Sequence, residues 1–124
     1  MLKVALFLGI LAVGLGSVTN LDQTNDAYVS PSSTAKLTLS SNPTTGYMWY
    51  MVPSNSVKLQ IQNPQGEYQS QSGKIGGGGV QVFEVGCNEL CQEGDELKLI
   101  FQKRRPWESE SVEEKHVTLH VVNQ

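Results

Sequence analysis

Arg105, Pro106 and Trp107 set a guanidinium and an indole, two groups that often anchor protein interfaces, on either side of a residue whose backbone angle is fixed. Trp107 lies in a polar stretch between two apolar runs, where a core position is hard to supply, and this argues for an exposed anchor. A second segment, Asn42-Pro43-Thr44-Thr45-Gly46-Tyr47, is built to be rigid. Pro43 fixes its own backbone and extends Asn42, Thr44 and Thr45 are β-branched, and Gly46 supplies a conformation that other residues avoid. A third segment, Gly76-Gly77-Gly78-Gly79, cannot pack a core, so another backbone must come close there or the loop must adapt to a partner. It is no phosphate cradle, because no Gly-Lys-Ser or Gly-Lys-Thr follows. The chemistry open to these segments is contact rather than bond making: three loops, 42–47, 76–79 and 104–108, forming one binding edge.

Residues that could break bonds do not assemble into a site. Ser33-Thr34-Ala35-Lys36 fits Ser-x-x-Lys, but the companion motifs of serine acyl-enzymes are absent and the segment reads as a strand. His116 and His120 share a strand face but stand too far apart to ligate one metal together, and solvent exposure is expected for both. Cys87 and Cys91, the only cysteines, lie in a turn-rich stretch. In an oxidising compartment they are expected to form a disulfide, whereas a metal site would need two further ligands. No nucleophile, base and orienting group come together, so the chain reads as a non-enzyme with neither metal nor cofactor.

The elements that must hold these loops are short strands. Residues 34–39 alternate, with Ala35, Leu37 and Leu39 on one face. Residues 47–52, 57–62, 80–85, 96–101 and 116–121 also read as strands bounded by turns, and residues 27–29 add an edge strand. In residues 80–85, Val80, Val82 and Glu84 face opposite to Gln81, Phe83 and Val85. About seven short strands without an amphipathic helix predict an all-β fold, an immunoglobulin-like antiparallel β-sandwich. Both cysteines share one loop, so the Cys-Trp-Cys core of true immunoglobulin domains is missing. The core is expected from Leu37, Trp49, Leu59, Ile61, Val82, Leu97, Leu99, Val117 and Leu119.

The 124 residues suit one domain. Met1-Leu2-Lys3 precedes an apolar run over 4–15 and then the small residues Gly14, Gly16 and Ser17, the pattern of a secretory leader. The run is shorter than the ~20 residues of a bilayer span. Residues 1–19 are assigned to the leader, with cleavage between Gly16 and Asn20, and residues 20–124 to the domain; no membrane association is expected once the leader is gone. Nine basic and twelve acidic side chains give a formal charge of -3, and loss of Lys3 makes it -4. That balance offers no basic footprint for nucleic acid. The one cationic cluster, Lys103-Arg104-Arg105, is local and suited to steering a partner. Pro43 blocks glycosylation at Asn42.

Taken in order, Asn42 to Tyr47 with Trp49, Gly76 to Gly79, and Arg105-Pro106-Trp107-Glu108 resemble the motifs of the chagasin family of protein inhibitors of papain-like cysteine peptidases. The resemblance covers nearly all of the chain after the leader. It implies reversible, non-covalent occlusion of a peptidase cleft, with Thr44 and Thr45 at the catalytic centre, the glycine loop on one side and Arg105 with Trp107 on the other. It implies papain-like, cathepsin L-type partners; a monomer is expected, and the leader places the protein in the secretory pathway, outside the cell or in lysosome-like vesicles. Two features depart from the family pattern: Lys103 stands where members often carry an aromatic, and the Cys87 and Cys91 pair is additional. The competing reading is a secreted adhesion or carbohydrate-binding sandwich, for which an exposed aromatic platform would be the sign.

Overall fold

The computed structural model describes residues 17–53, 56–70 and 78–123. Nine strands run in the order β1 (Ser17–Asn20), β2 (Asp26–Val29), β3 (Ser33–Ser41), β4 (Met48–Met51), β5 (Leu59–Ile61), β6 (Glu67–Ser70), β7 (Gly79–Cys87), β8 (Glu96–Arg104) and β9 (Glu113–Val121). A single 3-10 turn, Pro43–Thr45, is the only helical element among the described residues. The strands form two sheets. One has the order β1-β3-β7-β5, with β6 also pairing β7, and the other has the order β2-β9-β8-β4.

Alternation explains how the sheets close on each other. Ala35, Leu37 and Leu39 of β3 face inward, as do Leu99 and Phe101 of β8 and Val117, Leu119 and Val121 of β9. Phe83 of β7 meets Phe101 edge to face across the sandwich, with ring centroids 5.0 Å apart. Each such side chain, fully buried, contributes about 1.5–3 kcal/mol of hydrophobic stabilisation.

The expected sandwich is present, with differences that have physical causes. Nine strands replace about seven because β1 and β6 are short and polar, so no apolar alternation announces them. Two pairings are parallel, β1 with β3 and β2 with β9, so the sandwich is not wholly antiparallel. In β7 the inward face is Gln81, Phe83, Val85 and Cys87, which turns Val82 outward and removes it from the expected core. Gln81 can lie inside because its amide is fully used: Oε1 accepts from the Trp49 N–H (2.8 Å), and Nε2 donates to the carbonyls of Trp49 (2.9 Å) and Gln65 (2.8 Å). Leu59, Ile61 and Leu97 pack against the core but are only half-buried.

Residues 1–16 of the expected leader lie outside the described residues. Ser17–Asn20 form β1, so the boundary expected at 19/20 falls within a strand.

Candidate functional site

β3 ends at Ser41, β4 starts at Met48, β7 starts at Gly79 and β8 ends at Arg104. The ladders pair Ser41 with Gly79 and Met48 with Arg104, so the segments that follow or precede these residues emerge at one end of the sandwich.

The 42–47 loop is locked by its own side chains. Asn42 Oδ1 accepts from Thr44 N (3.3 Å) and Thr44 Oγ1 (2.6 Å), while Thr45 Oγ1 donates to the Asn42 carbonyl (2.8 Å). The Gly46 N–H closes the 3-10 turn on Pro43 O at 2.8 Å. Gly46 itself has φ +85°, a left-handed conformation that penalises any side chain. Thr44 and Thr45 form the exposed tip. Beneath it, Trp49 is buried and its Nε1 donates to Ser40 O (3.1 Å), joining β4 to β3 across the two sheets.

Of the glycine segment, Gly76 and Gly77 lie outside the described residues. Gly78 sits against the base of the first loop: a Cβ there would meet Ser41 O at 3.0 Å and Asn42 Cβ at 3.4 Å. Gly79 is wedged between β3 and β6, and a Cβ would run into Gln69 O, so this position requires the absence of a side chain.

Arg105 to Glu108 forms a tight turn closed by the Glu108 N–H on Arg105 O (3.0 Å), with Pro106 and Trp107 at its two central positions. Glu108 reaches back, its carboxylate accepting from Arg105 N (3.4 Å) and lying 3.9 Å from Arg105 Nη1. Trp107 is 73% exposed. Its ring still touches the first loop, because a Cβ on Gly46 would lie 3.5 Å from both Trp107 Cη2 and Arg105 Nε.

Cations and rings alternate along the β4–β8 edge. Arg105 Cζ stands 4.3 Å from the Tyr47 ring centroid and 5.8 Å from that of Trp107. Arg104 Cζ lies 4.3 Å over Tyr50 and its Nη1 donates to Glu108 O (3.2 Å), while Lys103 Nζ stands 5.8 Å over Trp49, its cross-strand partner. Lys103 and Arg104 belong to β8, so only Arg105 begins the turn. By sequence, Arg104 falls in the 104–108 loop and the cationic cluster, while Tyr50 carries no role. Their pairing follows only once the β4–β8 register is known, although the run Lys103-Arg104-Arg105 opposite an aromatic strand was the available sign.

Cys87 and Cys91 are joined as a disulfide with Cα atoms 6.1 Å apart, at the end of β7 remote from the loops. Cys87 is part of β7 and not of the loop. His116 is exposed, as expected, but His120 is not: its side chain is only 25% exposed, stacked on Tyr28, with Nε2 2.8 Å from Asp26 Oδ1 and Nδ1 3.7 Å from Glu96 Oε2. Burial of its ring against the edge strand β2 accounts for the difference. Among the described residues no cluster of His, Cys, Asp and Glu could hold a metal ion.

The sequence profile of the chagasin family peptidase inhibitor I42 matches residues 24–121. No curated protein matches the chain. Solved structures of the same fold include the cysteine protease inhibitor EhICP2 from Entamoeba histolytica, 17% identical over 87% of this chain and 99% of that one, with a TM-score of 0.60. They also include amebosin, 26% identical over 90% of this chain and 100% of that one, with a TM-score of 0.57. With the profile matched from β2 to the end of β9, the chain belongs to the chagasin family of peptidase inhibitors.

Proposed function

We propose that the protein is a reversible, tight-binding, non-covalent inhibitor of papain-family cysteine peptidases that closes the active-site cleft with loops 42–47, 76–79 and 104–108. The observation that carries this reading is the contact among the loops: Gly46 lies against Arg105 and Trp107 on one side of the first loop, and Gly78 lies against Asn42 on the other. A peptidase cleft would meet them as one edge, with Thr44 and Thr45 at the catalytic centre, the glycine segment along one wall and Trp107 with Arg105 along the other.

The internal bonds of the 42–47 loop support tight binding, since a segment already ordered loses little freedom on docking. Nanomolar affinity corresponds to about -12 kcal/mol. An interface of about 800 Å² per partner with Trp107 and Arg105 as anchors supplies that scale. The same rigidity keeps the Thr44 and Thr45 peptide bonds from reaching attack geometry, so the inhibitor is released uncut. The preferred targets are cathepsin L-type enzymes, the active form is a monomer, and the protein works in the secretory pathway after loss of its leader, outside the cell or in lysosome-like vesicles.

Titration against papain with a fluorogenic substrate tests this reading. Stoichiometric, dilution-reversible loss of activity at nanomolar concentration, with the inhibitor intact, is the expected result; no inhibition of papain or a cathepsin L-type enzyme at micromolar concentration would overturn it.

A further inference from the structure

We infer that Arg104 is a positioning residue for the Trp107 anchor: it ties the far end of the 105–108 turn to β4 instead of offering its charge to a partner. This rests on the inhibitor reading proposed above.

Two contacts hold the Arg104 side chain. It is the last residue of β8, half-buried, and the β4–β8 register sets it opposite Met48 and diagonal to Tyr50, whose own partner is Gln102. From that position its Cζ lies 4.3 Å from the Tyr50 ring centroid, while Nη1 donates to the Glu108 carbonyl (3.2 Å). A planar guanidinium can lay its face on a ring and aim its edge at an acceptor together, whereas an ammonium is a point charge with no face. Three successive cations thereby take three different tasks. Lys103 stands over the buried Trp49, Arg105 links the turn to the 42–47 loop through Tyr47, and Arg104 links the turn to β4 through Tyr50.

The turn needs this second tie. Trp107 is 73% exposed, so the direction of its indole is set mainly by the backbone that carries it. The near end of the turn is fixed by the Arg105–Tyr47 stack and by the Glu108 carboxylate accepting from Arg105 N (3.4 Å). Beyond the Glu108 N–H bond to Arg105 O, the next backbone N–H bonded to a backbone carbonyl among the described residues is that of Val112, on Lys103 O (2.9 Å). The Arg104 bond to Glu108 O falls at the start of that gap, and it comes from a charged donor, the stronger class of hydrogen bond. Without it the far end of the turn is released, and the freedom gained by Trp107 must be removed again on docking.

Arg104→Lys tests this, because it keeps the charge and loses the planar face. The inhibition constant against papain is expected to rise about tenfold, the scale of one hydrogen bond from a charged donor. In a Trp107→Ala background the same substitution is expected to change it by less than about twofold, because Arg104 acts through the indole. In the free protein, the nitrogen heteronuclear NOE of the Trp107 indole N–H is expected to fall, while that of Trp49, buried and bonded to Ser40 O, stays as in the parent. Tyr50→Leu, which removes the platform and leaves Arg104 in place, is expected to lower the Trp107 signal as well. An unchanged Trp107 signal in either variant, or an equal loss of inhibition with and without the indole, overturns the inference. Absence of papain inhibition by the parent itself overturns the inhibitor reading instead, and the indole signal then still decides whether Arg104 holds the turn.

Discussion

The Arg105 guanidinium stacks on the Tyr47 ring with 4.3 Å between guanidinium carbon and ring centroid, linking the turn after β8 to the loop before β4. The contact is an extension of the β4–β8 ladder, whose last register pair, Met48 with Arg104, puts Tyr47 and Arg105 opposite each other one residue beyond the strands. Loops that would be independent in an open sheet are thereby set at a fixed spacing before any partner arrives.

Breaking that stack should cost inhibition more than it costs folding. A partly exposed cation–π pair contributes about 0.5–1 kcal/mol. A double-mutant cycle with Arg105→Lys and Tyr47→Leu, read as inhibition constants against papain, is expected to return a coupling energy of that size. Lysine keeps the charge but loses the planar face and its geometry toward Glu108. Strict additivity of the two substitutions would show that the loops are positioned by something else.

Trp107→Ala is expected to weaken inhibition by at least ~2 kcal/mol, roughly 30-fold, if the indole is an interface anchor. With the side chain 73% exposed, little core packing is lost, and the unfolding free energy should stay within about 0.5 kcal/mol of the parent. A variant that melts early but inhibits normally once folded would reverse the assignment.

Gln81→Leu tests the buried amide under the site. The substitution strands the Trp49 N–H and the carbonyls of Trp49 and Gln65, and each unsatisfied buried group costs about 1–3 kcal/mol. A loss of at least ~2 kcal/mol in urea unfolding is expected. Because Trp49 lies on β4 two residues beyond the 42–47 loop, inhibition by the folded fraction should fall as well. A leucine variant as stable as the parent would mean that Gln81 is held inside by shape alone.

The legible parts of this fold were those where side-chain hydrophobicity carries the information. β3, β8 and β9 alternate because one face meets the core, and their existence and facing follow from that pattern. Both β1 and β6 are held by backbone pairing to β3 and β7, an interaction that leaves no trace in side-chain type. In β7 the alternation is as expected, but hydrophobicity alone points Val82 rather than Gln81 at the core. Three hydrogen bonds to backbone atoms distant in sequence outweigh that difference, and no local window contains them. The rigidity of the 42–47 loop could be inferred from Pro43, Thr44, Thr45 and Gly46 themselves. The stacking of Lys103, Arg104 and Arg105 on Trp49, Tyr50 and Tyr47 depends on the β4–β8 register and became visible only with it.

Acid stability should depend on the pole opposite the loops. Lys58 Nζ lies 2.7 Å from Asp95 Oδ2, and the same oxygen accepts from Gln92 N (2.9 Å). These contacts, the Lys58 hydrogen bond first and the Gln92 N–H second, hold the Asp95 carboxyl below its ordinary value. A carboxylate whose folded value is depressed stabilises the native state at pH above the unfolded value, about 3.9, and that contribution disappears as pH falls through the lower folded value. Glu114 is shifted in the same direction by Gln102 and then His116, so the wild-type acid limb contains both. Asp95→Asn isolates one of them: stability at pH 7 should drop, and the difference from wild type should shrink steadily below about pH 4. Paired urea titrations at pH 7 and pH 3 check this, and a difference that stays constant between the two would show that the Lys58 contact does not depend on the Asp95 charge.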